Sequence, residues 1–266
     1  MTTLYFVPGL QGHLNVGQDR QAHEESNQAA AERAALRLVF EFNKVSYQTK
    51  DHPFPTLSRM GSKLALAFTR DNAPSLCVAA SVGLGVFVQS LRNMFSIGHT
   101  PPHVIGVMGV PDPLTAIELQ VRHTKPEAMP LFNAVKEGNA EEFPLPVIKA
   151  EYGPEPGNFL LEPDHFNDKE ALRVLGNPGD RGILTKYIGP SEIFGNKRDF
   201  MKIPSMLLIT SKEDPFYQMN LTFAEIAQPW VATPIQVEEW GGSHGAARSH
   251  DVEQRIVAYG IKNLGL

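Results

Sequence analysis

The sequence predicts an α/β protein: a mostly parallel sheet of about six strands flanked by helices, with a helical lid or cap inserted after the strand ending near Val110. Two observations lead there. Toward both ends of the chain, short apolar runs of β type alternate with amphipathic helical stretches, the pattern of a parallel sheet covered on both faces. Between Leu114 and Asp199 that rhythm gives way to scattered prolines and glycines, among them Pro144, Pro146, Pro154, Pro156, Pro178 and Pro190. Such a stretch is too long for a structureless loop and is expected to carry a fold of its own.

Leu4 to Val7 is the first predicted strand, stopped by Pro8 and Gly9, and the Ala-rich stretch Ser26 to Leu38 is the first helix. Val39 to Tyr47 reads as a second strand. Thr56 to Thr69 reads as a helix, because Leu57, Met60, Leu64 and Phe68 fall on one face. The apolar run Ser75 to Ala80 enters Ser81-Val82-Gly83 and a helix that includes Phe87, Leu91 and Met94. Val104 to Val110 is a fourth strand, ended by Pro111-Asp112-Pro113. After the irregular stretch come strand Ser205 to Thr210, a helix near Leu221 to Ala227, strand Ile235 to Glu239 and a last helix from Val252 to Leu264. Residues 1–113 and 200–266 are thus expected to form the core, and 114–199 the insertion.

Composition narrows the function classes. A chain of 266 residues with 42 % hydrophobic and 20 % charged residues is ordinary for a globular protein and long enough for one large α/β domain. A net charge of −5 without basic runs argues against nucleic acid or an anionic membrane as partner. Cys77 is the sole cysteine, so no intramolecular disulfide is expected, and its apolar neighbours make it a small buried hydrophobe. The opening MTTLYFVPG lacks the charged and apolar regions of a secretory signal, and no run reaches the ~20 apolar residues of a membrane helix. The expectation is a cytoplasmic protein; a homo-oligomer is compatible with this composition.

The chemistry concentrates at three loops. Ala79-Ala80-Ser81-Val82-Gly83 lies between a buried strand and an amphipathic helix. A serine on such a sharp turn is held out of the sheet, beside backbone N–H groups and a helix N-terminus. The crowding requires small residues two places before and two after it, and Ala79 and Gly83 satisfy this. The competing reading makes Ser81 only a cap for the following helix. Strand Ser205 to Thr210 runs into a loop carrying Asp214, and strand Ile235 to Glu239 into Gly242-Ser243-His244-Gly245. In an open parallel sheet the loops leaving the carboxyl ends of the strands share one edge, where ligands bind. Ser81, Asp214 and His244 therefore converge, in the order Ser, Asp, His. Asp112 also follows a strand end and is the alternative acid. His250 and His13 are the alternative histidines, His250 on the solvated first turn of the last helix. Gly83-Leu84-Gly85 does not complete a dinucleotide loop, since Val88 stands where the third glycine belongs. No P-loop, metal-binding His pair or paired cysteine ligands occur, so neither a metal nor another cofactor is inferred.

On these motifs the chain resembles the α/β-hydrolases over nearly its whole length. Pro8-Gly9-Leu10-Gln11-Gly12 is similar to their oxyanion loop, with Pro8 departing from the histidine often found there. The first strand matches the relatives' third, so their two leading antiparallel strands are expected to be missing. The resemblance implies that Ser81 attacks a carbonyl carbon, His244 takes its proton and Asp214 fixes the imidazole tautomer. It implies an oxyanion hole made by the backbone N–H groups of Val82 and Leu10. Gln11, His13 and Phe159 are candidate pocket residues. A serine nucleophile excludes the branches that attack through a carboxylate. The leading expectation is hydrolysis of a small or medium acyl ester or thioester, a small-molecule substrate. The same triad also serves carbon–carbon bond hydrolases and hydroxynitrile lyases, and the fold serves non-hydrolytic ligand receptors.

Overall fold

The computed structural model describes residues 2–9, 27–45, 57–70, 75–124, 126–136, 189–195, 202–242 and 249–265. Within them the strands are β1 (Thr3–Val7), β2 (Glu41–Lys44), β3 (Leu76–Ala80), β4 (His103–Val107), β5 (Met206–Thr210) and β6 (Gln236–Glu239). The helices are α1 (Asn27–Leu38), α2 (Leu57–Thr69), α3 (Gly83–Ile97), α4 (Pro113–Thr124), α5 (Met129–Lys136), α6 (Pro190–Gly195), α7 (Tyr217–Ala227) and α8 (Ser249–Leu264). The strands form one six-stranded sheet in the order β2-β1-β3-β4-β5-β6, and each neighbouring pair is parallel.

The period-two geometry of a strand explains the layering. Leu4 and Phe6 of β1, Leu76 and Val78 of β3, and Ile105 and Val107 of β4 face one layer, where they pack with Ala30, Ala31, Ala34 and Ala35 of α1 and Val252, Ile256 and Tyr259 of α8. Their alternates Tyr5, Val7, Cys77, Ala79 and Val104 face the other, against Leu64 and Phe68 of α2, Phe87 and Leu91 of α3 and Phe223 of α7. With both faces covered, the central strands bury every residue from Leu76 to Ala80 and from Met206 to Thr210. The edge strand β6, sequence QVEE, alternates between half-buried and exposed. On the α1/α8 side the layer is also tied by charge: Arg33 and Arg37 reach Glu253 at 2.6 and 3.2 Å.

Element boundaries shift where backbone conformation overrides pattern. The second strand starts at Glu41 instead of Val39, because Val39 (φ 58°) closes α1 in a left-handed turn, with the Phe40 N–H donating to Ala35 O at 2.8 Å. The fourth strand ends at Val107 instead of Val110, because Met108 takes φ 44° and turns the chain. The helix expected near Leu221 begins at Tyr217, whose N–H donates to Asp214 O at 2.9 Å. From the 114–199 stretch the described parts are α4, a 3₁₀ turn at Pro126–Ala128, α5 and α6. Helix α6 is anchored to the core by Ile193 and Phe194, the latter against Phe223 and Trp230. Among the described residues no helix is long and apolar enough to cross a membrane.

Candidate active site

The strand order reverses between β1 and β3, since the chain passes outward from β1 to β2 and returns to β3. Loops leaving the carboxyl ends of strands at such a switch point border a crevice. Ser81 sits there. Register places Val7 beside Ala79 and Ala80 beside Val107, so the Pro8-Gly9 turn, the Ser81 turn and the Met108–Val110 turn are neighbours at one edge.

The Ser81 turn is strained and tightly packed. Ser81 adopts φ 50°, a left-handed conformation that costs an L-residue roughly 1–2 kcal/mol. Its N–H donates to Val107 O at 3.0 Å, and its carbonyl accepts from Leu84 N at 3.0 Å and Val110 N at 2.9 Å. The N-cap position of α3 falls on Val82, one residue past Ser81. The small residues have a steric reason. A Cβ on Gly83 would lie 2.3 Å from Val7 O and 3.0 Å from Pro8 O, and one on Gly9 would lie 2.9 Å from Ser81 Cβ and 3.5 Å from Ser81 Oγ. The serine is thus pressed between the β1 exit and the start of α3, whose N-terminal dipole favours negative charge developing beside it.

Asp214 lies on the turn between β5 and α7 and is 3 % exposed. Its Oδ1 accepts from Phe216 N–H at 2.8 Å, an Asx turn that bends the chain around Pro215 and into α7. Asp112 is differently engaged: Oδ1 accepts from Thr115 N–H at 3.0 Å and Oδ2 from Thr115 Oγ1 at 2.8 Å, so this carboxylate caps α4. The β5–α7 turn is joined to the end of β6 by Glu239, which pairs with Lys212 at 2.8 Å and accepts from the Tyr217 hydroxyl. Lys212, followed by Tyr217, holds the Glu239 carboxyl below the usual carboxylate range. The described chain follows β6 as far as Gly242, and His244 lies outside the described residues, as do Leu10, Gln11, His13 and Phe159. His250 is exposed on α8 and meets Gln254 at 2.7 Å. Cys77 is wholly buried in β3, which pushes its thiol far up and keeps it protonated. Among the described residues no cluster of three His, Cys, Asp or Glu could hold a metal ion.

The structure also singles out Asn220, 1 % exposed on α7, and Met108, left-handed beside the serine turn. Neither stands out by motif. For Asn220 the available signal was a polar residue on the same helix face as Phe223 and Ala227, both buried.

No family model and no curated protein matches the sequence. Solved structures do. Carboxyl esterase 2 from the mycorrhizal fungus Tuber melanosporum superposes with a TM-score of 0.55 at 14 % identity, covering 98 % of this chain and 78 % of that one. A hyperthermophilic esterase from the archaeon Pyrobaculum calidifontis gives 0.55 at 14 %, over 99 % and 77 % of the two chains. The type II thioesterase of the borrelidin biosynthetic cluster gives 0.51 at 13 %, over 99 % and 92 %. With the six-stranded parallel sheet, these superpositions define the class: the chain has the α/β-hydrolase fold.

Proposed function

We propose that this protein is a serine hydrolase that cleaves a small or medium acyl ester or thioester through an acyl-enzyme. The observation that carries the reading is the left-handed Ser81 at the β3–α3 turn, packed against Gly9 at the switch point of the sheet. A serine that only capped a helix would not need a strained backbone; a nucleophile presented above the sheet does. That esterases and a thioesterase are built on the same fold supports it. In this reading Ser81 Oγ attacks the carbonyl carbon while His244 takes its proton. The developing oxyanion is held by the N–H groups of Val82 and Leu10, each such donor contributing about 3 kcal/mol to the transition state. His244 then gives the proton to the departing alcohol or thiol, and next deprotonates the water that cleaves the acyl-enzyme. Asp214, bent into place by its Asx turn, orients the imidazole. Segment 114–199 serves as the lid, and Phe159 contributes an apolar wall that sets acyl-chain preference.

Labelling with a fluorophosphonate probe, followed by kcat/KM on p-nitrophenyl esters of rising chain length, tests the reading. Labelling that vanishes in Ser81→Ala, with turnover of short or medium esters, is the expected result. An unlabelled wild-type protein with no turnover across the panel rejects it.

A further inference from the structure

We infer that Asn220 is a positioning residue that braces the loop behind the serine to the loop carrying the acid, an inference that rests on the serine-hydrolase reading. Its Nδ2 donates to Gly109 O at 2.8 Å and to Phe216 O at 2.9 Å, so both N–H bonds of one buried amide are spent on carbonyls of two different turns. Each turn grips one of the proposed catalytic residues. On the β4 side, Val110, next after Gly109, donates its N–H to Ser81 O at 2.9 Å. On the β5 side, Phe216 donates its N–H to Asp214 Oδ1 at 2.8 Å. The path from serine to carboxylate therefore runs through hydrogen bonds and single residues, with Asn220 reaching a carbonyl 111 positions away in the chain.

The surroundings leave the brace little slack. Gly109 is wedged between α3 and the asparagine: a Cβ there would meet Leu84 Cδ2 at 2.3 Å and Asn220 Oδ1 at 3.2 Å. The chain reaches Gly109 only through the left-handed Met108. Phe216 O also accepts from the Asn220 backbone N–H at 3.0 Å and keeps that bond if the side chain is lost. Serine at 220 cannot span to both carbonyls, and aspartate turns a carboxylate toward two carbonyl oxygens, so each breaks the brace by a different route. An ordinary buried hydrogen bond would affect stability alone; a brace affects the alignment of acid and nucleophile.

The test measures kcat and KM on a p-nitrophenyl ester, fluorophosphonate labelling and a melting curve for the full chain. Asn220→Ser and Asn220→Asp are compared alone and in an Asp214→Asn background, below every variant's melting transition. The expected result is a kcat loss on the order of 10- to 100-fold in the parent background, with KM within about twofold. In the Asp214→Asn background the further loss should be small, because misplacing an acid that no longer acts changes little. Equal fold losses in both backgrounds overturn the inference, as does an effect on KM alone, an unchanged kcat, or failure of both variants to fold. The hydrolase reading fails separately, when the wild-type chain is neither labelled nor active or when Ser81→Ala retains turnover. A labelled, active wild type with additive losses removes only the role of Asn220.

Discussion

Replacing Ser81 by glycine and by alanine isolates the strain stored at the turn. Both substitutions remove Oγ, so they differ only in the Cβ. At φ 50° a Cβ costs roughly 1–2 kcal/mol, and glycine relieves that cost. The opposing terms are the lost packing of one carbon, about 0.4 kcal/mol at this half-buried position, and the extra backbone entropy that glycine loses on folding, about 0.5–1 kcal/mol. Strain relief offsets both, so Ser81→Gly should be about as stable as Ser81→Ala or slightly more so, in place of the 0.5–1 kcal/mol deficit that glycine shows in ordinary helix or strand positions. For a chain of this size that deficit would be a gap of about 1–4 °C in melting temperature, readable by calorimetry or circular dichroism. Both variants should lose fluorophosphonate labelling and at least about 10³-fold in turnover. A glycine variant less stable than the alanine variant by the full ordinary deficit would mean that Ser81 is not held left-handed. Retained turnover in either would remove the serine from the chemistry.

Asp214→Asn should lower kcat by on the order of 10³- to 10⁴-fold, whereas Asp112→Ala should keep its rate and lose about 1 kcal/mol of stability with the α4 cap; a large rate loss confined to Asp112 would move the acid to the β4 loop. Gly83→Ala should be destabilising by about 1–3 kcal/mol in urea unfolding, since a Cβ 2.3 Å from Val7 O outweighs the gain in helix propensity, and a neutral result would contradict the close approach of α3 to β1. His103, bonded through Nδ1 to Ser205 Oγ at 2.7 Å, has its pKa lowered from 6.5 by burial, so the folded chain favours the neutral ring. Its contribution is complete above the unfolded value and is lost as pH falls, because the unfolded chain takes up the proton first. His103→Gln should flatten the decline in melting temperature between about pH 7 and pH 5, and parallel curves for the two proteins would refute this.

What could be read directly from the sequence was whatever depends on local pattern. Apolar runs such as Leu76 to Ala80 identify strands covered on both faces, the periodicity of Leu64 and Phe68 identifies a buried helix face, and their alternation implies a parallel sheet. The same logic puts Ser81 and Asp214 on loops at one edge, because every strand of a parallel sheet points the same way. Tertiary structure decided what depends on partners distant in the chain. Asp112 and Asp214 each follow a strand, and only their hydrogen bonds separate a helix cap from a buried carboxylate on an Asx turn. The left-handed Ser81 and Met108 follow from the packing of β1, β4 and α3 around one turn, which no propensity of serine or methionine would predict. Asn220 is the clearest case: a single asparagine in an amphipathic helix gains its meaning from two carbonyls contributed by separate loops, one of them 111 residues away. A hydrogen bond needs its partner's position as well as its own, and that position exists only once the sheet has assembled.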